Sequence, residues 1–177
     1  MLGYVPDFFV YSRDAPGMAH LRADRALLEE HWSYMDAFAD TMIARGPTLT
    51  PDRETATGSL HVLGLPSVDA VHEFVAEEPN DRAGMYGEHV VYRFENLLER
   101  TMWEFSRTAG EPLFLLTARS GSSAASQERL IVHGRLSTLE NASAAGVALA
   151  VEARDLEAAL AGLDGAEVHD WELGGRR

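Results

Sequence analysis

The 177-residue sequence contains no cysteine. That absence excludes disulfides, thiolate nucleophiles and Cys-ligated zinc or iron–sulfur centres, and leaves histidines and carboxylates to carry any chemistry. No apolar run reaches the length of about 18 residues that a membrane span needs. The opening MLGYVPDFFVYSRD has no basic stretch ahead of an apolar block, so no secretory signal is expected and the cytoplasm is the default location. Basic residues are also few. Fifteen Lys and Arg against 28 Asp and Glu give a net charge of −13, which repels phosphate backbones, and no cluster of cations offers a local footprint for nucleic acid.

What is present reads as a soluble globular protein. With 46% hydrophobic and 24% charged residues, a chain of this size should bury about 70% of the surface it exposes unfolded, as one large domain or two small ones. Phe8 to Ser12, rich in aromatic and β-branched residues, predicts a strand that turns at Asp14-Ala15-Pro16-Gly17. The periodicity from Met18 to Ala44 predicts a long helix, broken near Asp24 and stopped at Gly46-Pro47. A strand over Gly58 to Gly64 follows, then a helix capped by Ser67, a loop from Glu78 to Tyr86, a strand from His89 to Phe94, and a last strand-like piece at Thr101 to Phe105. The order β-α-β-α-β-β is that of a ferredoxin-like half, an antiparallel sheet with both helices on one face.

Such a sheet needs a cover for its other face, and residues 112 to 173 supply one in the form of a weak internal repeat. GSLHVLGLPSVDAV lies over GVALAVEARDLEAA, Gly46 and Gly58 lie over Gly134 and Gly146, and Asp155 takes the capping place of Ser67. The expected division is a complete domain over 1–108 and a shortened, degenerate copy over 109–177. In that copy Ser120 to Gln127 replaces most of the long helix, so nothing corresponds to His31. The expected fold is therefore α+β, two ferredoxin-like halves forming a pseudo-dimeric α/β barrel. A homodimer contact in addition stays open.

The first half carries the candidate chemistry. At helical spacing Leu27, His31, Tyr34, Met35, Phe38, Met42 and Ile43 share one stripe. An imidazole there either packs in the core with one hydrogen bond or faces a site. His31-Trp32-Ser33-Tyr34-Met35, the Gly46-Pro47 turn, Gly58 and the loop Glu78-Pro79-Asn80-Asp81-Arg82-Ala83-Gly84-Met85-Tyr86 together resemble the YCII-related family over about residues 7 to 105. That resemblance implies small ferredoxin-like domains paired into dimeric barrels, and a catalytic dyad of the helix His with the loop Asp. One branch of the family removes halide from a hydroxylated ring. In this sequence the Asp position is Glu78, one methylene longer, with Glu77 and Asp81 as alternative partners.

A carboxylate on one imidazole nitrogen fixes the tautomer and frees the other nitrogen to move a proton. Without a thiol or a Gly-x-Ser-x-Gly elbow, proton transfer is the chemistry left. The expectation is a cofactor-free acid/base enzyme of lyase, dehydratase, isomerase or cyclase type, acting on a small aromatic or enolisable molecule through His31 and Glu78. The alternative is a non-catalytic ligand-binding or assembly module. Tyr34 and Tyr86 are candidates for an aromatic floor, against ordinary packing. Arg45 and Arg93 are candidates for an anionic substrate group, against solvated surface. His31, His61 and His89 lack the spacing of known zinc sites, so no metal is expected.

Overall fold

In the computed structural model, which describes residues 5–107 and 110–175, the aromatic run Phe8 to Ser12 lies inside strand β1 (Asp7–Asp14). β1 is an interior strand, paired with β3 (Ala56–Gly64) on one side and β4 (Tyr86–Asn96) on the other. Its side chains alternate accordingly: Phe9 and Tyr11 enter one apolar layer, Phe8 and Val10 another.

The long helix is shorter than its periodicity predicts. A 3₁₀ turn at Ala19–Ala23 precedes α1, which covers only Arg25–Asp36. Asp24 is the N-cap, its carboxylate accepting the N–H groups of Ala26 and Leu27 at 2.9 and 3.2 Å. Met42 to Leu49, read as the helix end and its Gly-Pro stop, is strand β2. Met42-Ile43-Ala44 fits either period, and a short apolar run cannot be told apart by spacing alone; pairing with β3 decides it. Thr101 to Phe105 is likewise no strand. Met102–Glu104 forms a 3₁₀ turn closed by a capping box, with Glu104 Oε2 accepting from the N and Oγ of Thr101 at 2.7 and 3.2 Å.

With α2 (Val68–Glu77) and the single turn α3 (Pro79–Arg82), the order becomes β-α-β-β-α-β and the sheet runs β4-β1-β3-β2. The second half contributes β5 (Leu113–Ala118), β7 (Leu130–Ser137), β8 (Ala144–Glu152), the short α4 (Leu156–Leu160) and β10 (Glu167–Trp171). Its sheet runs β10-β5-β8-β7, while β6 (Ser120–Gly121) and β9 (Leu163–Asp164) pair apart from it. Two seams close these eight strands into one barrel: β4 with β7, and β2 with β10 through Thr48↔Trp171 and Leu49↔Asp170. The expected boundary between residues 108 and 109 lies outside the described residues.

Three apolar layers result. Phe9, Leu60, Leu113, Leu115 and Trp171 fill the barrel; Val10, Met35, Leu63, Val71 and Phe74 join the first sheet to α1 and α2; Leu116, Leu149, Val151 and Ala159 join the second sheet to α4. Among the described residues, no helix is long and apolar enough to cross a membrane.

Candidate active site

The site is set by a proline. Pro79 disfavours helical backbone at the residue before it, and Glu78 is extended at φ −64°, ψ 125°, ending α2 and capping α3 at once. Oε2 of Glu78 accepts the N–H of Asp81 at 3.1 Å, and Oε1 lies 2.5 Å from Nδ1 of His31. The longer arm of Glu thus serves both partners. Its side chain is 4% exposed and that of His31 13%, so the pair is sheltered from water and strongly directional. The alternative carboxylates are occupied elsewhere: Glu77 sits 3.7 Å from Arg82 on the surface, and Asp81 Oδ1 lies 2.7 Å from Nε2 of His89.

His31 lines a cavity of about 260 Å³ between α1, α3 and the outer face of β2 and β3. Among the described residues, no hydrogen bond reaches its Nε2. Arg22, Arg45, Ser59, His61 and Asn80 supply the polar wall; Leu21, Leu28, Trp32, Pro47, Met85 and Leu173 supply the apolar one. Arg22 is held by a two-pronged contact with Asp14 at 3.0 and 2.6 Å and reaches Ser59 Oγ at 3.3 Å. Tyr86 donates to the same Oγ at 3.0 Å and accepts from Asn80 Nδ2 at 3.1 Å. Arg22, through both of its terminal nitrogens at 3.3 Å, and Tyr86 therefore converge on Ser59 Oγ and fix that corner of the cavity.

His61 is buried, its ring 5.7 Å from that of His31. Burial first, then the neighbouring His31, Arg45 and Arg22, hold its pKa well below the ordinary range, so His61 is a neutral wall. The unfolded chain takes up a proton at this position below about pH 6.5 and the folded chain does not, so stability should fall as pH drops from that value towards the folded pKa. The limit for one proton is about 1.4 kcal/mol per pH unit. Thermal unfolding at pH 7.5 and pH 5.5 should show a smaller acid loss in His61→Phe than in the parent chain; equal losses would show that His61 is not the linked group.

The structure brings some predicted site residues together and separates others. His31 and Arg45 line the cavity, Glu78 backs His31 without lining it, and Tyr86 is buried behind Ser59 and Asn80. Arg45 is 5% exposed and 3.8 Å from Asp36. Tyr34 turns away from the cavity. Its hydroxyl donates to the Phe74 carbonyl at 3.0 Å and its ring packs on Phe38 and Phe74; burial, then the carboxylates of Glu78, Glu77 and Glu73, push its pKa up to about 12. Arg93 lies opposite Phe8, at the other end of the sheet, where it binds the Leu139 carbonyl at 3.1 and 2.9 Å. His31, His61 and His89 do not converge, because His89 is held by Ser12 Oγ at 2.8 Å and by Asp81. Among the described residues no group of three or more His, Asp or Glu is placed to hold a metal ion. Sequence reasoning gave no site role to Arg22, Ser59 or Asn80: Ser59 is met by Arg22 and Tyr86 from 37 and 27 residues away, which leaves no local pattern, and Asn80 counted only as part of the loop.

The YCII-related domain model matches residues 7–95. A 5-chloro-2-hydroxyhydroquinone dehydrochlorinase from Burkholderia phenoliruptrix AC1100, solved with 2,5-dihydroxybenzoquinone, is 30% identical over 48% of this chain and 89% of its own, with a TM-score of 0.43. Two further structures show the fold over nearly the whole chain. A candidate monooxygenase from Lactobacillus acidophilus NCFM is 8% identical, covers 96% of this chain and 94% of its own, and has a TM-score of 0.52. A candidate chlorite dismutase is 11% identical, covers 96% and 95%, and has a TM-score of 0.53. No curated protein matches the chain. The domain match spans the strands, helices and loop that hold His31 and Glu78, and by it this chain belongs to the YCII-related family.

Proposed function

We propose that the chain is a cofactor-free enzyme of lyase, dehydratase, isomerase or cyclase type in which His31 moves the proton and Glu78 orients it. One observation carries the reading: His31 gives Nδ1 to a buried carboxylate at 2.5 Å while its ring lines the cavity. In the neutral ring the Nδ1 proton belongs to that contact, so Nε2 is a lone-pair base. It takes a proton from a ring hydroxyl or from a carbon beside a carbonyl. The electron pair left behind either shifts within an enolate or expels a leaving group as its anion, and the imidazolium then returns the proton to product or solvent. Such a step loses HX or moves a double bond, with no change of oxidation state overall. Arg45, on the cavity wall, faces the developing negative charge. The cavity of about 260 Å³ exceeds the roughly 150 Å³ that takes a benzene and falls short of the roughly 300–1,000 Å³ of drug-sized pockets, so a single substituted ring is the size class.

Glu78 also has a structural task, and its cap bond to Asp81 favours a second reading, a binding module in which the pair only ties α1 to α3. Halide release and proton exchange from halogenated hydroxyquinols, measured for the parent chain and His31→Ala, separate the two. Turnover lost with His31 supports the enzyme; a panel equally inert or equally active in both chains supports the module.

The organisation of the chain belongs to the same proposal: the second half reads as a shortened copy of the first. The support is register. Gly46 pairs with Leu60 and Thr48 with Gly58, and 88 residues later (46 to 134, 58 to 146) Gly134 pairs with Ala148 and Leu136 with Gly146. The helix caps keep the same offset, Ser67 to Ala70 and Asp155 to Ala158.

A further inference from the structure

The cavity beside His31 is not closed by the first half alone. After β10 the chain parts from β5 and runs on antiparallel beside β2, where Glu172 N donates to the Pro47 carbonyl at 3.2 Å and Gly174 N to the Arg45 carbonyl at 3.0 Å. The approach is made close by glycine: a Cβ on Gly174 would lie 2.5 Å from Gly46 Cα, and one on Gly46 would lie 2.0 Å from the Glu172 carbonyl oxygen. Arg53, on the β2–β3 connection, pins the same segment through Glu172 at 3.1 Å and the Trp171 carbonyl at 2.7 Å. Leu173 is thereby set in the cavity wall although it is 38% exposed. An exposed leucine held by its neighbours' backbone bonds contributes little to the core, and its place at the cavity edge gives it another use.

We infer that Leu173, delivered by the second half, is the residue that limits the size of ring the site accepts. This rests on the reading of the cavity as the substrate site, and assigns the C-terminal half a part in selectivity beyond completing the barrel. Its apolar side chain narrows the mouth and covers one face of a bound ring, while His31 and Arg45 meet its polar edge.

The test needs no knowledge of the natural substrate. Carbethoxylation of each histidine by diethyl pyrocarbonate is followed by peptide mass mapping in the parent chain, Leu173→Ala and Leu173→Trp, with the exposed His72 as internal reference. Relative to His72, His31 should react several-fold faster in Leu173→Ala and several-fold slower in Leu173→Trp. Unchanged His31 rates in both variants overturn the wall. The measurement is then repeated with excess 2,5-dihydroxybenzoquinone or 2-hydroxy-1,4-naphthoquinone, which add one and two rings of the same chemistry. The two-ring probe should protect His31 in Leu173→Ala and not in the parent; equal protection of both chains, or of neither, overturns the size limit. Reactivity that follows Leu173 while His31→Ala leaves turnover intact would sink the catalytic reading and keep this one.

Discussion

Alanine at position 31 is expected to lower turnover by about 10²–10⁴-fold, the usual contribution of a positioned acid or base, while Tm stays within a few degrees of the parent. The two halves of that expectation come from different features. The rate loss follows from His31 facing the cavity as a proton acceptor, whereas burial and neighbouring charge push the pKa of His61 well below the ordinary range and make it a poor base. The small stability change follows from what His31 leaves behind. Its removal widens a cavity that is already open to solvent, so no sealed void forms. Glu78 keeps the Asp81 N–H on one oxygen, and water entering the widened cavity can meet the other. The cost should sit at the low end of the roughly 1–3 kcal/mol for an orphaned buried group, or about 2–4 °C in a chain of this size. Glu78→Ala should behave differently, because it removes the α3 cap and the His31 contact together, and stability and turnover should fall in step. A His31→Ala chain that melted far below the parent while retaining turnover would mark the imidazole as a packing residue.

Trp171→Ala should give the largest stability loss, about 3–5 kcal/mol as for other buried Trp truncations, or roughly 6–20 °C in Tm. The indole is fully buried in the barrel layer with Leu113, Leu115 and Leu60, and it stands at the seam where β10 meets β2. Its N–H finds no partner among the described residues, so Trp171→Phe, which keeps an aromatic plug and discards that N–H, should cost much less. The seam makes the shape of the transition informative. Because Trp171 belongs to both halves of one closed barrel, calorimetry of Trp171→Ala should show a single shifted transition. A parent-like transition for part of the chain beside an early one for the rest would show two independently folding halves.

The barrel was legible in the sequence through its symmetry more than through its elements. The constant offset between glycine pairs and helix caps was visible because Gly46 and Gly134 each sit where a Cβ would meet backbone or ring atoms, at 2.0 and 2.2 Å. The stretch from Thr41 to Leu49 was illegible for a physical reason: an apolar Met-Ile-Ala run before Gly-Pro satisfies a helix end as well as a strand, and only its pairing with β3 chooses. The same ambiguity hid β2 and turned Thr101 to Phe105 into a strand, although Thr101-x-x-Glu104 is a capping box in plain view.

At the site, His31 and Glu78 became candidates through the resemblance of the helix and loop patterns to the YCII-related family, and Pro79 explains in local terms why that carboxylate leaves the helix. Arg93 was chosen by residue type alone, and type does not say which end of a strand faces the cavity. Leu173 to Gly175 carry no motif. The Gly174-Gly175 doublet was the available signal, since adjacent glycines at a strand end often mark a close backbone approach.

The central claim is that Glu78 holds the Nδ1 proton of His31 and leaves Nε2 as the proton-handling atom of the cavity. Long-range ¹H–¹⁵N correlation of the neutral His31 ring, assigned by its loss in His31→Ala, reads this without any substrate. The account predicts a protonated Nδ1 and a bare Nε2, with that preference lost in Glu78→Ala. A neutral ring protonated on Nε2 in the parent chain, or a tautomer indifferent to Glu78, would contradict it.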